Sequence, residues 1–278
     1  MPRTLTVSPG PGPSPQHAGS LYFIGNASVL IRYAGFTVLT DPTFVHRHEK
    51  VPLGYGLSTT RLTDPAMEVA DLPPLDLVLL SHFHGDHFDQ VAERELDNQL
   101  PVVTTPQSAA VLGKRGFTNS WPLRTWESLE VVKGQSRLRI SACPGRHGPG
   151  VTDLVLPDVM GSVLEFLPDG NEVTQRIYIS GDTLVYDDLH QIPRRYPDLD
   201  VGLLHLGGTR VLKLLVTMDA KQGVEAMRII GPRTVLPVHY DDYDVFTSGL
   251  QEFLDAARSQ GLADRVHAWS RGDSYALG

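Results

Sequence analysis

One short stretch constrains this chain more than any other. The apolar run Leu77-Val78-Leu79-Leu80 is followed at once by "SHFHGDHFD", residues 81–89. An apolar run without alternation predicts a strand covered on both faces. The nine residues after it carry three histidines and two aspartates. The fold therefore has to deliver imidazole and carboxylate together from the end of a rigid, buried strand. Histidine and carboxylate ligands suit a borderline divalent cation, zinc first, with manganese or iron as alternatives. His82 and His84 alternate, so in an extended segment their side chains share a side. Asp86 and His87 follow where the chain turns toward the next helix. Adjacent positions cannot all serve one ion, whereas two ions roughly 3.5–4 Å apart, as in known two-metal sites, would accommodate them.

Four ligands do not fill two sites, and further candidates stand at other strand ends. "SACPGRHG" offers His147, "YISGDT" offers Asp182 and "VLPVHYDD" offers His239, each after an apolar β-rich run. Loops held by rigid strands are where sheet proteins place binding groups.

Between these points the chain reads as two successive halves, each strands and then helices. "SLYFIG", "ASVLIRY" and "FTVLT" are strands, with a hairpin turn at Ala34-Gly35. "PVVTT", "LEVVKG", "SRLRISACPG", "VMGSVLEFL", "QRIYISGD", "DVGLLHLGG", "RTVLPVH" and a closing "RVHAW" are further strands. Helices are predicted over "FDQVAERELDNQL" and "PQSAAVLGKRG", the latter capped by Thr105 with Pro106 first and Gly116 past its end. "MDAKQGVEAMRIIG" follows, with Val224, Met227 and Ile230 on one face. In "SGLQEFLDAARSQG", Ser248 and Gln251 fit a capping box. This order predicts an α/β fold of two mixed sheets packed together with helices outside. Residues 1–20, rich in Pro, Gly and Ser from residue 8, are expected to be a flexible arm. Residues 21–278 form a single domain. Residues 41–64 make a long loop of the kind that is often functional.

Composition narrows the partners. The 278 residues carry a net charge of −8, and no basic run stands out. A phosphate backbone would want the opposite balance, so a long nucleic acid is disfavoured. A small-molecule substrate is expected. The first twenty residues lack the apolar region of a secretory signal, and no 18-residue apolar run predicts a membrane helix. The single cysteine, Cys143, excludes an intrachain disulfide and reads as a small buried hydrophobe. A cytoplasmic location is the expectation; the oligomeric state is open.

H-x-H-x-D-H at residues 82–87, with a strand-end histidine, a "GDT" aspartate and another strand-end histidine after it, resembles the metallo-β-lactamase superfamily. The resemblance runs from "LYFIGNASVLI" to "RVHAW" and is nearest to its ascorbate-6-phosphate lactonase-like and NAPE phospholipase D-like branch. Asn26 is a departure, because such relatives often carry histidine there. The resemblance implies an αββα sandwich and a ligand set. His82, His84 and His147 would hold one metal, Asp86, His87 and His239 a second, and Asp182 would bridge them. Asp41, in "VLTDP", would orient a histidine ligand through its other ring nitrogen. Asp86 and Asp182 are the candidate catalytic carboxylates. The implied reaction is hydrolysis by a metal-bound hydroxide on a small phosphodiester or on a lactone or ester.

A ribonuclease of the same superfamily is the main rival, but it usually adds nucleic-acid-binding domains or basic surfaces. A redox or binding protein on the same di-metal scaffold is the other; the flavodiiron type has Glu where His84 stands. His46 and His48 in the loop, and Tyr240, Asp241 and Tyr243 after His239, are the candidates to face substrate. His205 in "LLHLGG" reads as a satisfied core histidine.

Overall fold

The computed structural model describes residues 3–8, 19–54, 56–150 and 156–278. Leu77–Leu79 is a strand inside a seven-stranded mixed sheet. Its neighbours explain the unbroken apolar run. Leu77 and Leu79 face a core shared with the second sheet, while Val78 and Leu80 face a separate core beneath the outer helices. A strand's side chains alternate between faces, so both faces must be apolar when both are covered.

The first sheet runs, in spatial order, Ser274–Leu277, Gly19–Gly25, Ser28–Tyr33, Phe36–Thr40, Leu77–Leu79, Val102–Thr104 and Ser120–Pro122. Its first three pairings are antiparallel and its last three parallel. The second runs Arg3–Thr6, Ser128–Lys133, Ser136–Cys143, Gly161–Leu167, Gln175–Ile179, Val201–His205 and Thr234–Val238. Leu21, Phe23 and Ile31 of the first sheet share a core with Ile140, Val163 and Ile177 of the second. Each fully buried aliphatic or aromatic side chain there contributes about 1.5–3 kcal/mol.

Helices Gln90–Glu95 and Pro106–Lys114 cover the first sheet through Val91 and Leu112. Helices Ala220–Ile230 and Leu250–Ser259 pack on the second through Val224, Met227, Ile230 and Phe253. This is the predicted αββα sandwich. Thr105 caps its helix as expected, accepting from the Ser108 amide at 3.1 Å. Gly231, in the left-handed region at φ 73°, ends the helix begun at Ala220. No described helix is long and apolar enough to cross a membrane.

Four expectations need correction. Within the arm placed at residues 1–20, Arg3–Thr6 is an edge strand parallel to Ser128–Lys133, with Leu5 buried, and Gly19-Ser20 already belong to a strand; residues 9–18 lie outside the described residues. "RVHAW" is no strand. Val266 makes one isolated bridge to Val235, Trp269 is spent stacking on Phe23, and the closing strand is Ser274–Leu277. The helix predicted over "FDQVAERELDNQL" covers only Gln90–Glu95. Ser248 forms no capping box with Gln251. Its hydroxyl accepts from the Ala220 amide and donates to Glu252, tying two helices together, and the helix starts at Leu250.

Candidate metal centre

Every candidate ligand, and Asp41 and His205 beside them, stands at or just past the carboxyl end of a strand. The first sheet supplies Asp41 after Phe36–Thr40 and the loop 82–87 after Leu77–Leu79. The second supplies His147, Asp182, His205 and His239 after or at the ends of four of its strands. All are buried. Asn26, Asp41 and His239 hold left-handed φ values of 52°, 31° and 60°. Such backbone costs of order 1–3 kcal/mol each and persists where the surroundings over-determine it.

The distant segments meet. Ligand atoms of His82, His84 and His147 lie within 4.8 Å of one another, as do those of Asp86, His87 and His239, and those of His82, His87 and Asp182. Asp182 thus joins a member of the first trio to a member of the second. Its Oδ1 lies 3.5 Å from His87 Nε2 and 3.6 Å from His239 Nδ1. His239 Nε2 lies 3.5 Å from Asp86 Oδ2.

The far side of four of the five rings is engaged. His147 Nδ1 donates to the Val216 carbonyl at 2.9 Å, and His239 Nδ1 donates to the Leu206 carbonyl at 3.1 Å. A carbonyl only accepts, so each proton sits on Nδ1 and the lone pair on Nε2. His87 Nδ1 is 3.1 Å from Asp41 Oδ2, and His82 Nδ1 is 3.0 Å from Ser81 Oγ. Thr217 donates from Oγ1 to Asp182 Oδ2 at 2.9 Å. What remains is a set of buried atoms with no hydrogen-bond partner among the described residues: His84 Nε2, His87 Nε2, His239 Nε2, Asp86 Oδ1 and Asp182 Oδ1. Leaving a buried polar group unpaired costs about 1–3 kcal/mol each. Imidazole nitrogens and carboxylate oxygens orphaned together fit divalent cations.

Electrostatics divides the rings. Burial holds His82 well below the ordinary imidazole value, and nearby His87 and His84 push it the same way. Burial, then His147, pulls His84 down to about 4, and burial lowers His147. These three are neutral, the form that ligates. Burial opposes charge on His87 too, but Asp182, Asp86 and Asp41 outweigh it and raise the pKa well above the usual range. Burial works against the Asp41 carboxylate, yet His87 and His205 hold it down at about 2.

Asp41 does more than the sequence reading asked of it. Besides holding His87, it accepts from the Ser81 amide at 2.7 Å and sits 3.3 Å from His205 Nε2. His205 has Ser180 Oγ 3.2 Å from its Nδ1, and its ligand atom also lies within 4.8 Å of those of Asp41 and His87. The candidates for facing substrate have the following surroundings. Tyr240 is buried and donates to the Trp269 carbonyl; Tyr243 is buried, its hydroxyl beside Arg61. Asp241 pairs with Arg271 at 2.7 Å. His46, at the surface, pairs with Asp64 and Glu68. His48 is exposed. The aromatic side chains after His239 were needed for packing and for the buried guanidinium, which a run of polar letters does not reveal.

The sequence reading noted Asn26 only as a departure, and missed Thr217 and the hairpin within the loop. Lys50–Gly54 pairs with Leu57–Thr60, and Pro52 lies directly on the metal-loop glycine: Gly85 donates its amide to the Pro52 carbonyl at 2.9 Å. A Cβ at Gly85 would stand 2.5 Å from that oxygen and 2.8 Å from Pro52 Cδ. Gly85→Ala is therefore expected to destabilise the protein by about 1–3 kcal/mol, the usual cost of overpacking, and to lower turnover by displacing His84 or the hairpin. Thermal unfolding and turnover measure this; wild-type values for both would mean that the hairpin is free to move aside.

Three comparisons bear on the centre. The family model described as "Beta-lactamase superfamily domain" matches residues 37–240, a span that holds Asp41 and all seven candidate ligands. A UPF0173 metal-dependent hydrolase of Caldivirga maquilingensis is 25% identical over 256 residues, covering 92% of this chain and 96% of that protein. Its counterpart in Pelotomaculum thermopropionicum is 31% identical over 208 residues, covering 73% and 82%. Among solved structures, isothiocyanate hydrolase from Delia radicum gut bacteria shares the fold with a TM-score of 0.75 at 20% identity, covering 92% of this chain and 98% of that one.

Proposed function

The chain belongs to the metallo-β-lactamase superfamily and is a metal-dependent hydrolase, and from that premise we propose that it works with two divalent cations, zinc first, on a small phosphodiester or a lactone or ester. The observation that carries the two-cation reading is the pair of trios joined through Asp182. His82, His84 and His147 would hold the first cation and Asp86, His87 and His239 the second, with Asp182 the group that would be shared between them. The chemistry supplied when they are bound is a water whose pKa drops from roughly 15.7 to about 7, with positive charge opposite the developing oxyanion.

The chain's own groups do the rest. Asp41 fixes the His87 ring, the Val216 and Leu206 carbonyls fix His147 and His239, and Thr217 turns one oxygen of Asp182 inward by engaging the other. Asp86 Oδ1, buried and without a hydrogen-bond partner among the described residues, would be free to take a proton from the attacking water, which supports Asp86 as the acid–base carboxylate. The Lys50–Thr60 hairpin against Gly85 walls the centre on one side and favours a small substrate. A net charge of −8 disfavours a long polyanion.

His84→Ala is expected to lower bound zinc from two ions to one, read by metal analysis of the purified variant; two retained ions would remove His84 from the ligand set. The substrate class is tested by competition. The zinc-loaded protein is offered a chromogenic phosphodiester, a panel of lactones and esters, and single-stranded and structured RNA at matched concentrations. The small substrates are expected to turn over faster. RNA cleaved far faster, at a rate falling steeply with salt, would replace this reading with a ribonuclease.

A further inference from the structure

We propose that Asn26 is the positioning residue of the second cation's trio, locking Asp86 and His239 to one another. It stands in the turn between the strands Gly19–Gly25 and Ser28–Tyr33, where asparagine at left-handed φ needs no special reason. Its bonds, however, reach far outside that turn. The Asn26 side-chain Nδ2 donates to the Asp86 backbone carbonyl at 2.5 Å. Its own carbonyl accepts the His239 amide at 2.8 Å. Its amide donates to Asp242 Oδ2 at 2.7 Å, in the turn that follows His239. One fully buried residue thus grips both the metal loop and the strand end across the sandwich, where Asp86 Oδ2 and His239 Nε2 lie 3.5 Å apart. Among the described residues Asn26 makes no hydrogen bond to His82, His84 or His147; Ser81 engages His82 and the Val216 carbonyl engages His147. The effect is accordingly confined to one trio.

The inference rests on the two-cation reading, and the test separates the two. Asn26→Gly keeps the left-handed backbone and its two main-chain bonds while deleting the amide. Asn26→Asp keeps the size but replaces the donor with a carboxylate facing a carbonyl. Each zinc-loaded variant and the wild type are titrated with a zinc chelator, bound zinc is counted by native mass spectrometry, and thermal unfolding of the metal-free chains checks folding. The wild type is expected to hold two ions. In both variants one ion is expected to be weakened about 10–100-fold, the usual cost of losing a partner that orients a ligand, with the other within about twofold of wild type. Both ions kept at wild-type affinity, or both lost in parallel, overturns the assignment of Asn26 and leaves the two-cation reading standing. A wild type that holds one ion overturns that reading and this inference with it. Should Asn26→Gly fail to fold, Asn26→Asp alone decides by the same criterion.

Discussion

Asp182→Ala is expected to abolish turnover and strip bound metal while the fold survives. Asp182 is the one carboxylate among the candidate groups that meets both His82 and His87. Thr217 engages its Oδ2, leaving Oδ1 unpartnered, 3.5 Å from His87 Nε2. Losing a partner that merely orients a ligand costs about 10–100-fold; losing a ligand shared by two cations should exceed about 100-fold in turnover. Asp182→Asn separates charge from shape, because the amide still accepts from Thr217 but carries no charge, and it is expected to fail nearly as badly. Thr217→Val leaves the carboxylate in place and should fall within the about 10–100-fold range. Metal analysis, turnover and far-ultraviolet circular dichroism read all three. Full occupancy with retained turnover in Asp182→Ala would mean that another group does the bridging.

The largest effect on stability is expected at Arg61. Its guanidinium is fully buried and pairs with the equally buried Asp242 at 3.1 Å. It also donates to the Thr63 carbonyl and to Thr43 Oγ1, and lies over the Tyr243 ring with its carbon 5.1 Å from the centroid. Asp242 in turn accepts from the Asn26 amide and from Thr63 Oγ1. Removing Arg61 leaves the buried Asp242 carboxylate with only the partly exposed Arg271 at 3.5 Å, and breaking a buried pair from one side costs about 3–5 kcal/mol. For a domain of this size each kcal/mol moves the melting temperature by about 2–4 °C, so Arg61→Met should lower it by roughly 6–20 °C. Because the harm is a buried charge that has lost its main partner, adding Asp242→Leu to Arg61→Met is expected to cost less than the two single changes summed. A strictly additive double variant would argue that the pair matters through packing alone.

The parts of this molecule that were legible in the sequence share a cause. Leu77–Leu80 announced a strand covered on both faces because two cores do cover it. The six-residue ligand motif was compact enough to be recognised, and His147, Asp182 and His239 followed apolar runs that are strands. Thr105 and Pro106 fixed a helix start by local chemistry alone. What was not legible depends on distant partners. Arg3–Thr6 becomes a strand only because Ser128–Lys133 offers it an edge. Tyr240 and Tyr243 looked like substrate-facing neighbours of a ligand until Trp269 and Arg61 claimed their hydroxyls. Asn26 is a turn residue by every local measure, and its bonds to Asp86 and His239 join positions far apart in the chain. Gly85 was only the spacer inside a motif until Pro52 was found lying on it.

The central claim is that two trios joined by Asp182 hold two cations, and the metal content of the chain tests it most directly. Protein stripped with a chelator, reloaded with excess zinc and freed of loosely bound metal is analysed for zinc against protein concentration. About two ions per chain is the expected result, as the two-metal arrangement requires. A carefully loaded protein that saturates at one ion or none would contradict it.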